Sequence, residues 1–194
     1  MGFKLIVITP EKNHPKEFEL ITSLFENGLQ ALHVRKPQAS ENKLRDYLKK
    51  IPKKFYKRLV IHSHYKLAKE FKLKGVHLTE KAKKTKRINP SLKIISTSFH
   101  TTTDISKGRR KYQYVFLSPV FDSISKTGYK SNFDLENLEP FLKKHKNVIA
   151  LGGVNTKNIK KVKEVGFNGA AVIGTIWQSK SPTKSYKELA LKIK

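Results

Sequence analysis

At 194 residues with 38% hydrophobic content, the chain can bury one substantial core and is read as a single domain spanning residues 1–194. Its longest apolar runs, such as Leu5–Ile8 and Ala170–Ile173, fall far short of the roughly 20 residues of a membrane span, and with no cysteine it has no disulfides, thiolate chemistry or zinc–thiolate site, so a cytoplasmic protein without membrane partners is expected. The formal charge of +26 is mostly lysine, with 17 Lys/Arg against 4 Asp/Glu between residues 41 and 90; without an RNP, zinc-finger or basic-zipper pattern it is read as a solvated cationic face, not specific nucleic-acid recognition.

No signal-peptide pattern precedes the first apolar run. Short apolar segments then alternate with stretches of helical periodicity. A strand over Lys4–Ile8 leads to a helix over Pro15–Asn27, a strand over Ala31–Arg35, a helix over Glu41–Ile51 and a strand over Leu59–Ile61. A helix over Tyr65–Phe71, a strand over Gly75–Leu78 and a polar loop or single turn over Lys81–Pro90 follow, then a strand over Lys93–Ser96 and a helix over Thr102–Lys107. The last units pair strands Tyr114–Leu117, Val148–Leu151 and Gly169–Ile173 with helices Leu135–His145, Thr156–Glu164 and Pro182–Ile193. Pro15 and Pro182 suit first turns, Ser40 and Ser181 suit N-caps, and Gly28 and Gly166 suit C-terminal stops. Strict alternation implies a parallel sheet. Eight strands without a Gly-x-Gly-x-x-Gly turn after the first favour a single α/β TIM (β/α)8 barrel, shortened after its fourth strand, over an open doubly wound sheet.

In such a barrel the site is built from residues that follow the strands. Here these are Arg35-Lys36, His62-Ser63-His64, Thr79-Glu80, Ser98 with His100, Ser118 followed by Asp122 to Lys126, Gly152-Gly153 and Gly174-Thr175. Glycines after strands seven and eight let backbone amides approach a phosphate, or else simply allow tight turns. His62, His64 and His100 are candidates for acid/base chemistry or for plain loop hydrogen bonds. His77 is read as a structural histidine filling the barrel, and Trp177 as a core plug or subunit contact.

The blocks Val148–Asn155 and Gly166–Gly174 resemble the phosphate half of the thiamine phosphate synthase/TenI family. Leu32–Lys36, Leu59–Ala68, Gly75–Leu78, Ile95–His100, Tyr114–Phe121 and Ser123–Lys126 are similar to its other blocks, in the same order. The synthases of this family join hydroxymethylpyrimidine diphosphate to thiazole phosphate and release diphosphate through a pyrimidine cation. The resemblance implies small phosphorylated metabolites as partners, including thiamine phosphate, and a homo-oligomer. It implies Arg35 on diphosphate and Lys126 neutralising leaving-group charge, these two being the catalytic candidates. Ser98, Ser123 and Ser125 would donate to ligands, and Gly152, Gly153, Ile173 and Gly174 would hold the thiazole phosphate. His33, Lys36, His62, Ser63 and His100 complete the substrate-binding candidates. The departures are equally specific. His33 replaces a glutamine, Lys36 is displaced by one position and followed by Pro37, and His62-Ser63 and Ala82 stand where the family's magnesium-binding Asn-Asp and second aspartate fall. Magnesium is implied by the family, but its carboxylates are missing, with Glu80 or Asp122 as possible substitutes. A TenI-like thiazole tautomerase is the alternative enzyme, although Pro119 occupies its catalytic histidine position. A non-catalytic binder of thiazole or thiamine phosphate, or a polyanion-binding barrel, are the alternatives from other classes.

Overall fold

The computed structural model describes residues 2–84, 91–108, 111–122 and 133–194. Eight parallel strands close in sequence order into a barrel: β1 (Lys4–Ile8), β2 (Ala31–Val34), β3 (Leu59–Ile61), β4 (Gly75–Leu78), β5 (Ile94–Phe99), β6 (Tyr114–Leu117), β7 (Val148–Leu151) and β8 (Gly169–Val172). Closure comes from β1, where Ile6 sits opposite Ala31 of β2 on one side and Ala171 of β8 on the other. The pleat then sorts the side chains by parity. Ile6, Ile8, Val60, Phe116 and Ile149 fill the interior, whereas Leu5, Val7, Leu32 and Ile61 face the helices.

The helical layer consists of α1 (Glu17–Glu26), α2 (Glu41–Lys49), α3 (Lys66–Glu70), α4 (Glu80–Lys84), α5 (Thr102–Gly108), α6 (Leu135–Lys144), α7 (Ile159–Glu164), α8 (Gly174–Trp177) and α9 (Pro182–Lys192). Apolar residues at helical spacing dock each long helix on the barrel, as Ile21, Leu24 and Phe25 do for α1 and Leu44 and Leu48 for α2. The Ser40 hydroxyl caps α2 by accepting the Lys43 amide at 3.3 Å. Ser181 takes the N-cap position of α9 without a side-chain cap bond.

Several boundaries differ from the sequence reading. Pairing with β6 carries β5 on to Phe99, opposite Leu117, and puts Ser98 on a strand instead of in a loop. Helix α1 starts at Glu17 because that side chain turns back to accept the His14 amide at 3.1 Å, leaving Pro15 in the preceding turn. The unit after β4 is the single turn α4, and residues 85–90 lie outside the described ones. Helix α8 and a 3-10 turn over Lys53–Arg58 are additional elements.

A buried ion pair ties the end of β2 to the helical layer. The Lys36 ammonium lies 2.8 Å from a Glu17 carboxylate oxygen, with the side chains 5% and 1% exposed. It also donates to the Pro10 carbonyl at 2.8 Å, while the Tyr47 hydroxyl donates to the same carboxylate at 2.6 Å. Lys36, a substrate-binding candidate from sequence, is therefore turned away from the barrel mouth, because the residue after Arg35 falls on the opposite side of the chain. Removing one partner of such a pair leaves a buried charge uncompensated and costs about 3–5 kcal/mol. Lys36→Ala is expected to lose about that much in a urea titration; a loss below about 1 kcal/mol, the range of surface pairs, would contradict a structural role.

Candidate active site

A cavity of about 820 Å³ opens at the C-terminal ends of the strands. On one wall, Gly152 and Gly153 follow β7, and Gly174 and Thr175 begin α8 directly after β8. Gly152 and Gly153 have φ of +94° and +65°, and a Cβ on Gly153 would stand 2.4 Å from the Asp122 carbonyl. No other residue fits this turn without strain. The side-chain amides of Asn155 and Asn158 both donate to the Gly153 carbonyl, at 3.1 and 3.0 Å, which fixes the peptide that follows. Thr175 donates to the Val154 carbonyl at 2.6 Å and locks the two glycine segments together. First-turn amides of a helix have no intrahelical acceptor, so the start of α8 beside this turn presents N–H groups suited to an anion.

Across the cavity, Arg35 leaves the end of β2. Its backbone amide donates to the Thr9 hydroxyl at 2.8 Å, clasping β2 to β1, and its guanidinium pairs with Glu11. Glu80 lines a further part of the wall and pairs with Lys83, whose ammonium also donates to the Ser98 carbonyl at 3.0 Å. His100 uses Nδ1 on the Ser118 carbonyl at 2.7 Å. Trp177 reaches under the rim, where its Nε1–H donates to the Ile8 carbonyl at 2.7 Å and its ring lies 5.9 Å from that of His14.

The cavity wall thus brings together Arg35, His62, Ser98, His100, Gly152, Gly153, Ile173 and Gly174 from the sequence-based set. Ser63 and Lys36 do not line it, and His64 instead faces the Ala39 carbonyl at 2.8 Å. Ser123, Ser125 and Lys126 lie outside the described residues. His33 lies beneath the surface, fully buried, in contact with His62.

The floor holds what sequence reasoning missed. His33 of β2, His62 after β3 and His77 of β4 converge, with His33 Nδ1 2.8 Å from His62 Nε2 and the His62 and His77 rings stacked at 4.1 Å. His33 Nε2 lies 2.6 Å from the Tyr114 hydroxyl, and His77 Nδ1 lies 2.9 Å from Ser96 Oγ. Burial, reinforced by His77 and by Lys74, pushes His33 well below the ordinary range. Burial likewise holds His62 down, with His77, His33 and Arg35 adding to it, and lowers His77 to about 3 with help from Lys83 and Arg35. All three rings are neutral at physiological pH. The signal was available in strand parity, since His33 follows inward-facing Ala31 by two residues and His62 follows inward-facing Val60 by two.

The family model described as thiamine monophosphate synthase (TMP-TENI) matches residues 5–176. The chain belongs to this family. Its curated relatives include a thiamine-phosphate synthase from Clostridium tetani, 30% identical over 73% of this chain and 70% of that protein. Another, from Prochlorococcus marinus strain SARG, is 28% identical over 98% of this chain but only 57% of its own length, so the chain spans little more than half of that relative. A solved thiamine phosphate pyrophosphorylase from Bacteroides thetaiotaomicron superposes with a TM-score of 0.84 at 31% identity, covering 98% of this chain and 97% of the other. The family's magnesium finds no matching donor set among the described residues. The carboxylates lining the cavity, Glu11 and Glu80, are committed to Arg35 and Lys83, Asp122 is exposed outside the lining, and the floor donors are imidazoles. Magnesium takes hard oxygen ligands in octahedral geometry. No helix is long and apolar enough to cross a membrane among the described residues.

The buried imidazoles make stability depend on pH in a defined direction. Their folded-state values lie below the ordinary 6.5, so between the two values the unfolded chain binds more protons. Their contribution is complete above 6.5 and is lost as pH falls through 6.5, down to about 3 for His77. Urea midpoints are expected to fall between about pH 7 and pH 5, where carboxylates remain ionised, and the fall should shrink in His77→Gln. A flat midpoint over that interval would contradict three neutral buried rings.

Proposed function

We propose that this chain is a thiamine-biosynthesis transferase that joins hydroxymethylpyrimidine diphosphate to thiazole phosphate and releases diphosphate. The observation that carries the proposal is the pairing, across one cavity, of the Gly152-Gly153/Gly174 wall with the Arg35 guanidinium. One wall suits the ester phosphate of the thiazole, and the other suits a diphosphate. In the reaction the carbon–oxygen bond to diphosphate breaks, its electron pair leaves with diphosphate, and the resulting pyrimidine cation is captured by the thiazole ring. The protein's task is to hold the leaving charge.

Arg35 is partly exposed and paired with Glu11 at the rim, so its guanidinium reaches a diphosphate by exchanging one anionic partner for another. Ser98 supplies a hydroxyl at the cavity wall. Lys126, with Ser123 and Ser125, is assigned the remaining leaving-group contacts on the family resemblance alone. The donor set of the described residues does not suit magnesium, so the leaving charge is held by the cationic and hydroxyl side chains. The same observation supports a second reading, in which the chain grips thiazole or thiamine phosphate without turning it over.

Diphosphate release from the two substrates, followed beside calorimetric titration of each, separates the readings. Turnover is expected, and Lys126→Ala and Arg35→Ala should each cost about 10²-fold or more in rate, as loss of a charge-stabilising group does. Binding of thiazole phosphate without any diphosphate release would replace the transferase reading by the binder. Gly153→Val is expected to weaken thiazole phosphate binding at least tenfold, through the clash with the Asp122 carbonyl and the positive φ. Undiminished affinity would remove the glycine wall from the site.

A further inference from the structure

We propose that His33, His62 and His77 form a binding site for one borderline divalent transition-metal ion, of the zinc or cobalt type, at the floor of the cavity. The candidate ligand nitrogens, one from each ring, all lie within 4.8 Å of one another. A tetrahedral ion with nitrogen ligands at about 2.0–2.1 Å places those nitrogens about 3.4 Å apart. Small ring rotations cover the difference.

The hydrogen bonds around the rings favour an ion over a mere packing cluster. A ligating imidazole needs its far N–H held by an acceptor, which fixes both tautomer and orientation. His33 offers Nδ1 inward while Nε2 meets the Tyr114 hydroxyl at 2.6 Å, and His77 offers Nε2 inward while Nδ1 meets Ser96 at 2.9 Å. His77 Nε2 has only a long 3.4 Å approach from the Ser98 hydroxyl to give up. The third ring presents Nε2 toward His33. One proton lies between His33 Nδ1 and His62 Nε2 at 2.8 Å. A cation entering between the rings replaces it, and His33 then carries its N–H on Nε2 against Tyr114.

Three further features agree. The three rings are buried, 0%, 8% and 3% exposed for His33, His62 and His77, so an ion between them is shielded from bulk water. His62 and His77 reach the cavity surface while His33 lies below it, so three protein ligands leave a fourth position facing the cavity for water or a substrate oxygen. Two of the cationic groups that act on the floor rings, Arg35 and Lys83, are each paired with a carboxylate, which lowers the repulsion an entering cation meets from them. Imidazole donors select zinc, cobalt, nickel, copper or iron over magnesium. The site does not depend on the proposed transferase reaction, because it is measured with the metal alone.

The test is a titration of chelator-treated protein with Co²⁺, read by its visible d–d spectrum and by calorimetry, followed by displacement with Zn²⁺. One equivalent per chain with an intense four-coordinate spectrum is expected, displaced by Zn²⁺ and not by millimolar Mg²⁺. His33→Gln and His77→Gln should each weaken Co²⁺ binding at least tenfold, Tyr114→Phe about 10–100-fold, and His64→Gln not at all. X-ray absorption of the Zn²⁺-loaded unsubstituted protein counts imidazole ligands independently of how the variants fold; three are expected. Absence of a one-equivalent site, fewer than two imidazoles at the metal, displacement by Mg²⁺, or equal affinity in His33→Gln and His77→Gln would each overturn the proposal.

Discussion

A closed parallel barrel seals its interior from bulk water, so every polar atom placed there needs a partner from another strand. That constraint governs this molecule, because β2, β4, β5 and β6 all point polar side chains inward at one level. No buried side-chain nitrogen or oxygen among the described residues lacks a hydrogen-bond partner. The cost of burying three imidazoles is met by keeping them neutral and joining them through Tyr114 and Ser96. A charged ring would need a counter-ion that no inward position supplies. Neutrality is thus the condition for the packing, and it is also what makes the rings potential ligands.

The same period of two explains the divergent fates of Arg35 and Lys36. Adjacent residues at a strand end leave on opposite sides, and one guanidinium reaches the cavity rim while the next ammonium enters the helical layer and meets Glu17. In sequence the pair reads as one basic dipeptide. In the fold it divides between chemistry and architecture, and the Pro10 carbonyl held by Lys36 belongs to the very loop that places Glu11 against Arg35. The buried pair therefore supports the rim from behind, which links stability to the position of the guanidinium.

The barrel was legible in the sequence because most strands are short apolar runs bounded by polar or glycine residues, and those that carry polar residues, β2, β4 and β5, still alternate with helical segments in the same order. The glycine wall was legible for a related reason, since Gly152, Gly153 and Gly174 follow strands directly and the fold class says that strand ends carry the site. The imidazole floor was not. Its members are separated by 29 and 15 positions along the chain, and the strand registers set His33 opposite Val60 and Val60 opposite Gly75, so that His62 and His77 each stand two residues beyond the partner of the strand before and meet His33 only in the folded barrel. His77 was assigned to the barrel interior because it lies on a strand, and that alone does not say whether an interior position lies in the sealed middle or at the cavity floor. The irregular register between β4 and β5 beside His77 hides that distinction further.

The cavity is asymmetric in a way that bears on how one fold changes its chemistry. Its β7–β8 side is a wall of backbone amides and glycines, whose main-chain geometry tolerates almost no substitution. Its β2–β4 side is built from side chains, which can be exchanged one at a time without disturbing the barrel. The departures that the family resemblance marks at His33, Lys36, His62-Ser63 and Ala82 all fall in the β2–β4 half of the chain, and of these residues His62 lines the cavity. Imidazole donors at the floor suit borderline divalent ions and not magnesium, whereas the opposite wall is made of main chain, so the two halves of one cavity can differ in chemistry while the barrel that carries them stays the same.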